Sequence, residues 1–187
     1  QATIDGVSYP LSDSFFVIAT QNPVESTGVF PLPQAQIDRF LMRLTLGYPD
    51  KAEEKRILDE YRTQSPLDDI KPVASKNELN EARAAVRQIT VSESIKNYIV
   101  SLANATRSAE SVRIGVSPRG SLMLMRAAQA YAGSSGRDYV IPDDIKAVAR
   151  AVWAHRIVPR SQNTIRMADS GANIIDYILD SAPAPIE

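Results

Sequence analysis

The sequence predicts an α/β segment followed by a domain made almost entirely of helices, with the division near Tyr48-Pro49-Asp50. Residues 15–20 form an apolar run rich in aromatic and β-branched side chains, the composition of a strand covered on both faces in a parallel sheet. Beyond Asp50, apolar residues recur at helical spacing. These observations predict residues 1–48 as the end of an α/β core and residues 49–187 as a helical domain.

The elements before Asp50 each have a local signal. Asp5-Gly6 is a favoured two-residue turn and predicts a hairpin. Residues 34–44 carry the apolar stripe of an amphipathic helix, formed by Ile37, Phe40, Leu41 and Leu44. Arg39 lies off that stripe, where the ordinary interpretation is a solvated surface arginine.

Beyond Asp50, helix starts are marked by capping boxes. Asp50 with Glu53, and Ser75 with Glu78, have the spacing at which two side chains satisfy each other's free backbone amides. Prolines and aspartates make residues 65–76 an expected extended connector. Two later segments are expected to bury one face, formed by Ile95, Ile99, Leu102, Ala103 and Thr106 in the first and by Ile145, Val148, Ala149 and Val152 in the second. A short helix is expected near 172–180, ended by prolines.

Composition excludes several classes of site and favours a cytoplasmic protein. There is no cysteine, so neither disulfides nor thiolate chemistry is available. His155 is the only histidine and is expected to be structural, at a helix end where its cation would suit the dipole. Apolar runs are too short to span a membrane, and the start at Gln1 lacks the features of a signal peptide. A net charge of −1 lacks the footprint of a nucleic-acid binder.

Two places in the sequence are candidate ligand sites. The first is Gln21-Asn22-Pro23, at the carboxyl end of the predicted strand, where ligands bind in open α/β sheets. Pro23 would hold Asn22 extended. An isolated Asn-Pro pair more often only shapes a turn, so Asn22 is a candidate that depends on its context.

The second place is Arg119. Ser117-Pro118 predicts an N-cap followed by proline at the first helical position, which puts Arg119 in the first turn. A cation there opposes the macrodipole by about 0.3–1 kcal/mol, and Gly120 inside a helix costs roughly another 0.5–1 kcal/mol relative to alanine. Because a helix N-terminus is an anion site, Arg119 is a candidate phosphate ligand. The alternative is a surface arginine paired with a nearby acid.

Several of these stretches together resemble the MoxR family of AAA+ ATPases. The resemblance covers FFVIATQNPV at 15–24 and GVFPLPQAQIDRFL at 28–41, continues through Gly47-Tyr48-Pro49 and resumes at GVSPRG, 115–120. It implies that residues 1–48 are the C-terminal strands of a P-loop-type parallel sheet in an AAA+ core, and that residues 49–187 are the helical lid domain.

The resemblance also implies roles for individual residues. Asn22 matches sensor 1, which would orient the attacking water. Arg39 matches the arginine finger, which would act on the nucleotide of a neighbouring subunit, with Asp38 as its orienting partner. Arg119 matches sensor 2, which would couple the lid to phosphate. The implied cofactors are ATP and Mg²⁺, and the implied assembly is a homo-oligomer, a hexameric ring.

One part of the family's pattern is missing. The sequence contains no G-x-x-x-x-G-K-[ST] stretch, whose backbone amides and lysine hold the phosphates in P-loop enzymes. The resemblance places that loop and the Mg²⁺-binding acidic strand before Gln1. We therefore expect this chain to be a fragment of an ATPase that alone neither binds ATP tightly nor hydrolyses it.

The resemblance implies a chaperone-like function: maturation of client metalloenzymes or insertion of their metal cofactors, with von Willebrand factor A domain proteins as partners. A protein similar to the ATPase subunit of magnesium chelatase is an alternative. Another is a nucleotide-independent helical interaction module, which would have no need for Asn22, Arg39 and Arg119. A DNA-binding helical domain is disfavoured because basic residues are spread among acidic ones.

Overall fold

The computed structural model describes residues 1–21, 32–63, 65–160 and 167–185. In this part of the chain the helices are α1 Gln34–Ile37, α2 Lys51–Glu60, α3 Lys76–Gln88, α4 Glu93–Ser108, α5 Pro118–Ser134, α6 Pro142–Trp153 and α7 Met167–Ser181. Short 3-10 helices cover Pro66–Asp69 and Ala154–Arg156. The strands are β1 Ala2–Ile4, β2 Val7–Tyr9, β3 Val112–Ile114 and β4 Val158–Pro159.

The chain divides into two compact units. One takes in Gln1–Phe30 and Leu46–Ala84, and the other takes in Pro31–Thr45 and Ala85–Glu187. The second unit therefore combines a short segment from before Tyr48 with most of the predicted helical domain. The domain boundary predicted between residues 48 and 49 stays a prediction, since compact units need not coincide with domains.

The first unit has well-formed local structure. Strands β1 and β2 pair antiparallel, and the turn residues Asp5 and Gly6 have φ of 50° and 81°, as expected for the predicted hairpin. Both capping boxes are confirmed: the Asp50 carboxylate accepts from the Glu53 amide at 2.8 Å, and the Glu78 carboxylate accepts from the Ser75 amide at 2.7 Å. None of the described residues of this unit is buried.

The prediction of a buried strand at residues 15–20 is wrong for this structure. These residues belong to no strand and all are exposed, with 76% of Phe16 and 80% of Ile18 accessible. An apolar run becomes a buried strand only when neighbouring strands pair with it and other layers cover it. The described residues provide neither, because their strands form only the antiparallel pairs β1 with β2 and β3 with β4.

The core of the second unit lies among α4, α5, α6 and α7. Both predicted helical faces are confirmed in it: α4 buries Ile95, Ile99, Leu102, Ala103 and Thr106, and α6 buries Ile145, Ala149 and Val152 with Val148 partly covered. The 3-10 helix that follows α6 packs against α7 so closely that a Cβ on Gly171 would lie 2.3 Å from the Ala154 carbonyl oxygen. This turn carries His155 and Arg156 into the interior.

Candidate functional site

The N-terminus of α5 forms as the sequence predicts. Ser117 is the N-cap, and its Oγ accepts a hydrogen bond from the Gly120 amide at 3.2 Å. Pro118 occupies the first helical position, where its missing N–H costs no helical hydrogen bond. Arg119 therefore lies in the first turn with its side chain exposed.

The loop that leads into α5 is fixed to the end of α4. The buried Val116 donates its amide to Thr106 Oγ1 at 3.0 Å and accepts at its carbonyl from Arg107 Nε at 2.8 Å. Gly115 runs so close to α4 that a Cβ there would lie 2.9 Å from backbone atoms of Arg107. The position of Arg119 is thus set by contacts with the core of the unit.

Arg39 follows α1 in a turn. Its side chain is exposed, and its guanidinium makes no hydrogen bond or ion pair with the described part of the chain. The helix predicted over residues 34–44 is wrong in its extent, because α1 ends at Ile37. Leu44, expected on the buried stripe, is 72% exposed.

The early end of α1 is explained by the Arg156 side chain, which is 1% exposed. Its Nη1 donates to the Asp38 carbonyl at 2.6 Å, and its Nη2 donates to the carbonyls of Phe40 and, at 3.3 Å, Leu41. A continued helix would direct these carbonyls along its own axis to amides one turn later. The guanidinium binds them instead, so residues 38–41 leave the helix.

Arg156 also forms a buried ion pair with Asp38. The distance from Nη1 to Asp38 Oδ1 is 2.9 Å, and the Asp38 side chain is 23% exposed. Both carboxylate oxygens accept from Ser117 Oγ at 3.1 Å. Asp38, Ser117 and Arg156, which we call the Asp38 cluster, thus join the segment that carries Arg39 to the N-cap of the helix that carries Arg119.

The expected pairing of Asp38 with Arg39 is wrong. The Asp38 carboxylate is held by Ser117 and Arg156, on the buried side of the segment, whereas Arg39 is exposed. If the Asp38 carboxylate paired with a solvated guanidinium instead, the buried charge of Arg156 would be left unpaired, which is unfavourable.

The charges around Arg156 act on one another. Burial is the largest influence on the guanidinium and lowers its pKa. The hydrogen bond and the negative charge of Asp38 oppose this, while the positive charge of Arg119 lowers the pKa further. Arg119 therefore acts electrostatically on the cluster although it is exposed.

Gly120, which is unfavourable for helix formation, has a packing reason. A Cβ on it would lie 2.7 Å from Val116 Cγ1 and 3.1 Å from Arg156 Cδ. Its carbonyl accepts from Trp153 Nε1 at 2.9 Å. The glycine therefore lets the Arg156 side chain pass beside the first turn of α5, which sequence reasoning had linked only to phosphate binding.

His155 is partly buried, and the cation expected at this position is wrong. Burial, followed by the charge of Arg156, lowers its pKa to about 4. Its Nε2 lies 3.4 Å from the Phe40 carbonyl oxygen, and its buried Nδ1 has no hydrogen-bond partner in the described part of the chain. The ring is therefore neutral near pH 7 and packs beside residues 38–41.

Asn22 lies outside the described residues, so the structure brings together the surroundings of Arg39 and Arg119 only. No cluster of three or more metal-ligating side chains occurs among the residues that the structure describes. None of the helices in that part of the chain is long and apolar enough to cross a membrane.

Sequence reasoning missed Arg156 and the second hydrogen bond of Ser117. The pattern of α6 ends at Trp153, and a basic residue after a helix end is typically solvated there. The sequence signal for this contact is Asp38, an acidic residue next to the amphipathic stripe. On sequence alone it is paired with its neighbour Arg39 instead. Pairing it with Arg156 requires contacts across more than one hundred positions, which periodicity does not provide.

Comparison with known proteins matches both parts of the chain to AAA families. A family model described as ATPase family associated with various cellular activities (AAA) matches residues 1–42. A model described as AAA lid domain matches residues 104–175. These matches confirm the predicted fold class, part of an AAA+ core followed by a helical lid.

Individual proteins give the same result. The chain is 42% identical to the uncharacterised protein YeaC of Bacillus subtilis (strain 168), covering 99% of this chain and 58% of YeaC. It is 38% identical to the chaperone MoxR1 of Mycobacterium tuberculosis, covering 83% of this chain and 43% of MoxR1. The chloroplastic magnesium-chelatase subunit ChlI of Nicotiana tabacum is more distant, at 26% identity over 92% of this chain and 39% of ChlI.

A solved structure shares the fold. The crystal structure of a candidate ATPase from Cytophaga hutchinsonii matches with a TM-score of 0.82 and 35% identity, over 99% of this chain and 58% of that one. The chain thus spans roughly half the length of the proteins that it matches. Motifs, family models and fold agree, and this chain belongs to the MoxR family of AAA+ ATPases.

Proposed function

We propose that the protein carrying this chain hydrolyses ATP, with Asn22 and Arg39 as catalytic residues and Arg119 as a nucleotide-binding residue. The observation that supports this most directly is the placement of Arg39 and Arg119. Both guanidinium groups are exposed and make no bond with the described residues, yet the backbone next to each is fixed by the Asp38 cluster. A guanidinium that is unpaired in its own chain, and whose backbone is held in place, is suited to bind a phosphate group of a ligand.

Arg39 would act across a subunit boundary. An exposed side chain can reach a nucleotide bound by a neighbouring copy and neutralise the charge that develops during phosphoryl transfer. In GTPases such a finger contributes roughly 10³–10⁵ in rate. This role requires a homo-oligomer, and we propose a hexamer.

Arg119 would bind phosphate at the start of α5. The helix dipole of α5 and the added guanidinium of Arg119 concentrate positive potential at one place. Asn22 would position the attacking water. The described residues lack a group of ligands for Mg²⁺, so we assign no step of the reaction to that ion in this chain.

The cellular role that we propose is chaperone-like: ATP-driven maturation of a client metalloenzyme or insertion of its metal, with a von Willebrand factor A domain protein as partner, in the cytoplasm. Support comes from similarity to a relative named as a chaperone. A magnesium-chelatase-like role is less favoured, because that subunit is only 26% identical to this chain.

Subunit mixing tests the role of Arg39. In the whole protein, Arg39→Ala is expected to bind nucleotide with nearly unchanged affinity and to lose most of its turnover, since a finger in trans acts on the transition state. Mixing it with a variant defective in phosphate binding should restore part of the activity, because each subunit supplies what the other lacks. Phosphate release and nucleotide titration measure the two effects.

Arg113→Ala is the matched control, because Arg113 is an exposed arginine of the same unit on β3. It should retain normal turnover. This chain alone is expected to be inactive and to bind ATP weakly, since its sequence has no phosphate-binding loop. Failure of every mixture to regain activity would rule out a role in trans.

A further inference from the structure

The Asp38 cluster touches both segments that carry the proposed nucleotide-contacting arginines. Arg156 donates to the carbonyls of Asp38 and Phe40, the residues on either side of Arg39. Ser117 caps the helix in which Arg119 occupies the first turn, and it also donates to Asp38. One group of three side chains, of which Arg156 is buried and the other two are partly buried, therefore holds the backbone at both positions.

We propose that Asp38 and Arg156 are positioning residues that couple Arg39 to Arg119, so that the two arginines move together when nucleotide is bound or released. The inference rests on the proposed ATPase function for its role, although the coupling itself is a property of this chain. Neither residue touches the nucleotide in this proposal.

Burial makes the coupling strong. If the start of α5 moved away from residues 38–41, the Asp38 carboxylate would lose the hydrogen bonds from Ser117 Oγ while keeping its ion pair with Arg156. Hydrogen bonds to a charged group are stronger than those between neutral groups, and breaking one in a partly buried place leaves the charge poorly compensated. The segments are thus expected to shift as one body.

The geometry also explains why the cluster contains an arginine. The planar guanidinium donates in several fixed directions, to the carbonyls of Asp38, Phe40 and Val152 as well as to the Asp38 carboxylate. An ammonium group has the same charge without this fork. Arg156→Lys should therefore retain the positive charge and lose the coupling.

Ligand binding at Arg119 has a path to the cluster through charge. The positive charge of Arg119 lowers the pKa of Arg156, which means that the two cations repel each other through the protein. A bound anion at Arg119 would change the electrostatic potential at both Arg156 and Asp38.

Distance measurements between labels test the coupling directly. Because the chain contains no cysteine, Arg39→Cys with Arg119→Cys places spin labels only at those two positions. Pulsed electron paramagnetic resonance should give a narrow distance distribution in this background. Adding Asp38→Asn or Arg156→Lys should broaden it, because the segments then move separately.

A matched pair separates coupling from general stability. Asp144 is also buried, at 1% exposure of its side chain, and it pairs with Arg137 at 2.5 Å, but its hydrogen bonds hold the start of α6. Asp144→Asn should lower the melting temperature without broadening the distribution. Ser117→Asp is the complementary variant, since aspartate still caps a helix but cannot donate to Asp38.

A broader distribution with Asp38→Asn and Ser117→Asp, and an unchanged one with Asp144→Asn, would support the proposal. An unchanged distribution in all variants that fold, or equal broadening with Asp144→Asn, would overturn it. In the whole protein, Arg156→Lys should lower turnover about 10²-fold at unchanged nucleotide affinity, as small misplacements of catalytic groups do. If the whole protein has no ATPase activity, the proposed function fails while the distance result still decides the coupling.

Discussion

Arg156 shows how a buried charge can define a local structure. Its guanidinium is almost inaccessible, yet its N–H groups are satisfied by the Asp38 carboxylate and by the backbone carbonyls of Asp38, Phe40 and Val152. A buried cation is tolerated only when it is paired and fully hydrogen-bonded. Because Arg156 can be buried only with these hydrogen bonds, residues 38–41 adopt the backbone conformation that provides them.

Gly120 gives a test of this packing. Gly120→Ala should gain roughly 0.5–1 kcal/mol of helix propensity but lose about 1–3 kcal/mol to overpacking, because its Cβ would lie 2.7 Å from the buried Val116. We expect a net loss of stability, measured by chemical denaturation. Gly133→Ala, in the same helix, is the control.

At Gly133 the new Cβ would lie 2.8 Å from Ile89 Cδ1, the end of a flexible and only partly buried side chain. That side chain can move, so Gly133→Ala should be close to neutral or stabilising. Equal effects of the two substitutions would show that the contact between Gly120 and the cluster is unimportant.

His155 gives a pH dependence with a defined sign. Its pKa is lowered from 6.5 to about 4 in the folded protein, so the unfolded chain binds the proton more readily. The neutral ring contributes its full stability above pH 6.5, and this contribution is lost as the pH falls towards 4. We expect the free energy of unfolding to fall by roughly 1–2 kcal/mol by about pH 5 from this group.

His155→Gln supplies the reference for this measurement. Carboxylates titrate in the same range, so the quantity to compare is the difference in unfolding free energy between the two proteins at each pH. That difference should change between pH 6.5 and pH 5. A constant difference would contradict a buried neutral ring.

At the scale of elements, the sequence predicts the N-caps of helices correctly but does not predict where α1 ends. Asp50, Ser75 and Ser117 cap helices as their local sequences indicate, because capping depends on neighbours within three residues. The end of α1 at Ile37 depends on Arg156, far away in sequence. Short-range signals are visible in one sequence, whereas a distant donor that takes helical carbonyls is not.

Removing the N-cap of α2 and removing the N-cap of α5 should have different effects on amide exchange. Asp50→Ala removes two hydrogen bonds at the start of α2, worth about 0.5–2 kcal/mol. Because α2 has no buried residue, we expect faster amide exchange within α2 and unchanged exchange in α4. Hydrogen exchange resolves the two helices.

Ser117→Ala, which removes the cap of α5, is the comparison. That serine is joined to the core of the second unit through Asp38, so its loss should speed exchange in α4 and α5 together. An effect of Asp50→Ala on α4 as large as that of Ser117→Ala would contradict the expected difference between the two caps.

On the scale of the whole molecule, the sequence predicted the class of fold and the helical core better than the burial of residues 15–20. Helical faces such as the one around Ile99 are buried as expected, because their partners α5 and α6 follow directly in the chain. Residues 15–20 have the composition of an interior strand but remain exposed. Composition shows what a segment is able to bury, and neighbouring segments decide whether it does so.

Trp153, the only tryptophan in the chain, is fully buried and donates its indole N–H to the Gly120 carbonyl. It therefore acts as a built-in optical reporter. Its emission, excited at wavelengths where tyrosine does not absorb, comes solely from the unit that contains the Asp38 cluster, because the first unit has no tryptophan. A change in the surroundings of Trp153 in this unit can thus be followed by fluorescence without attaching a dye.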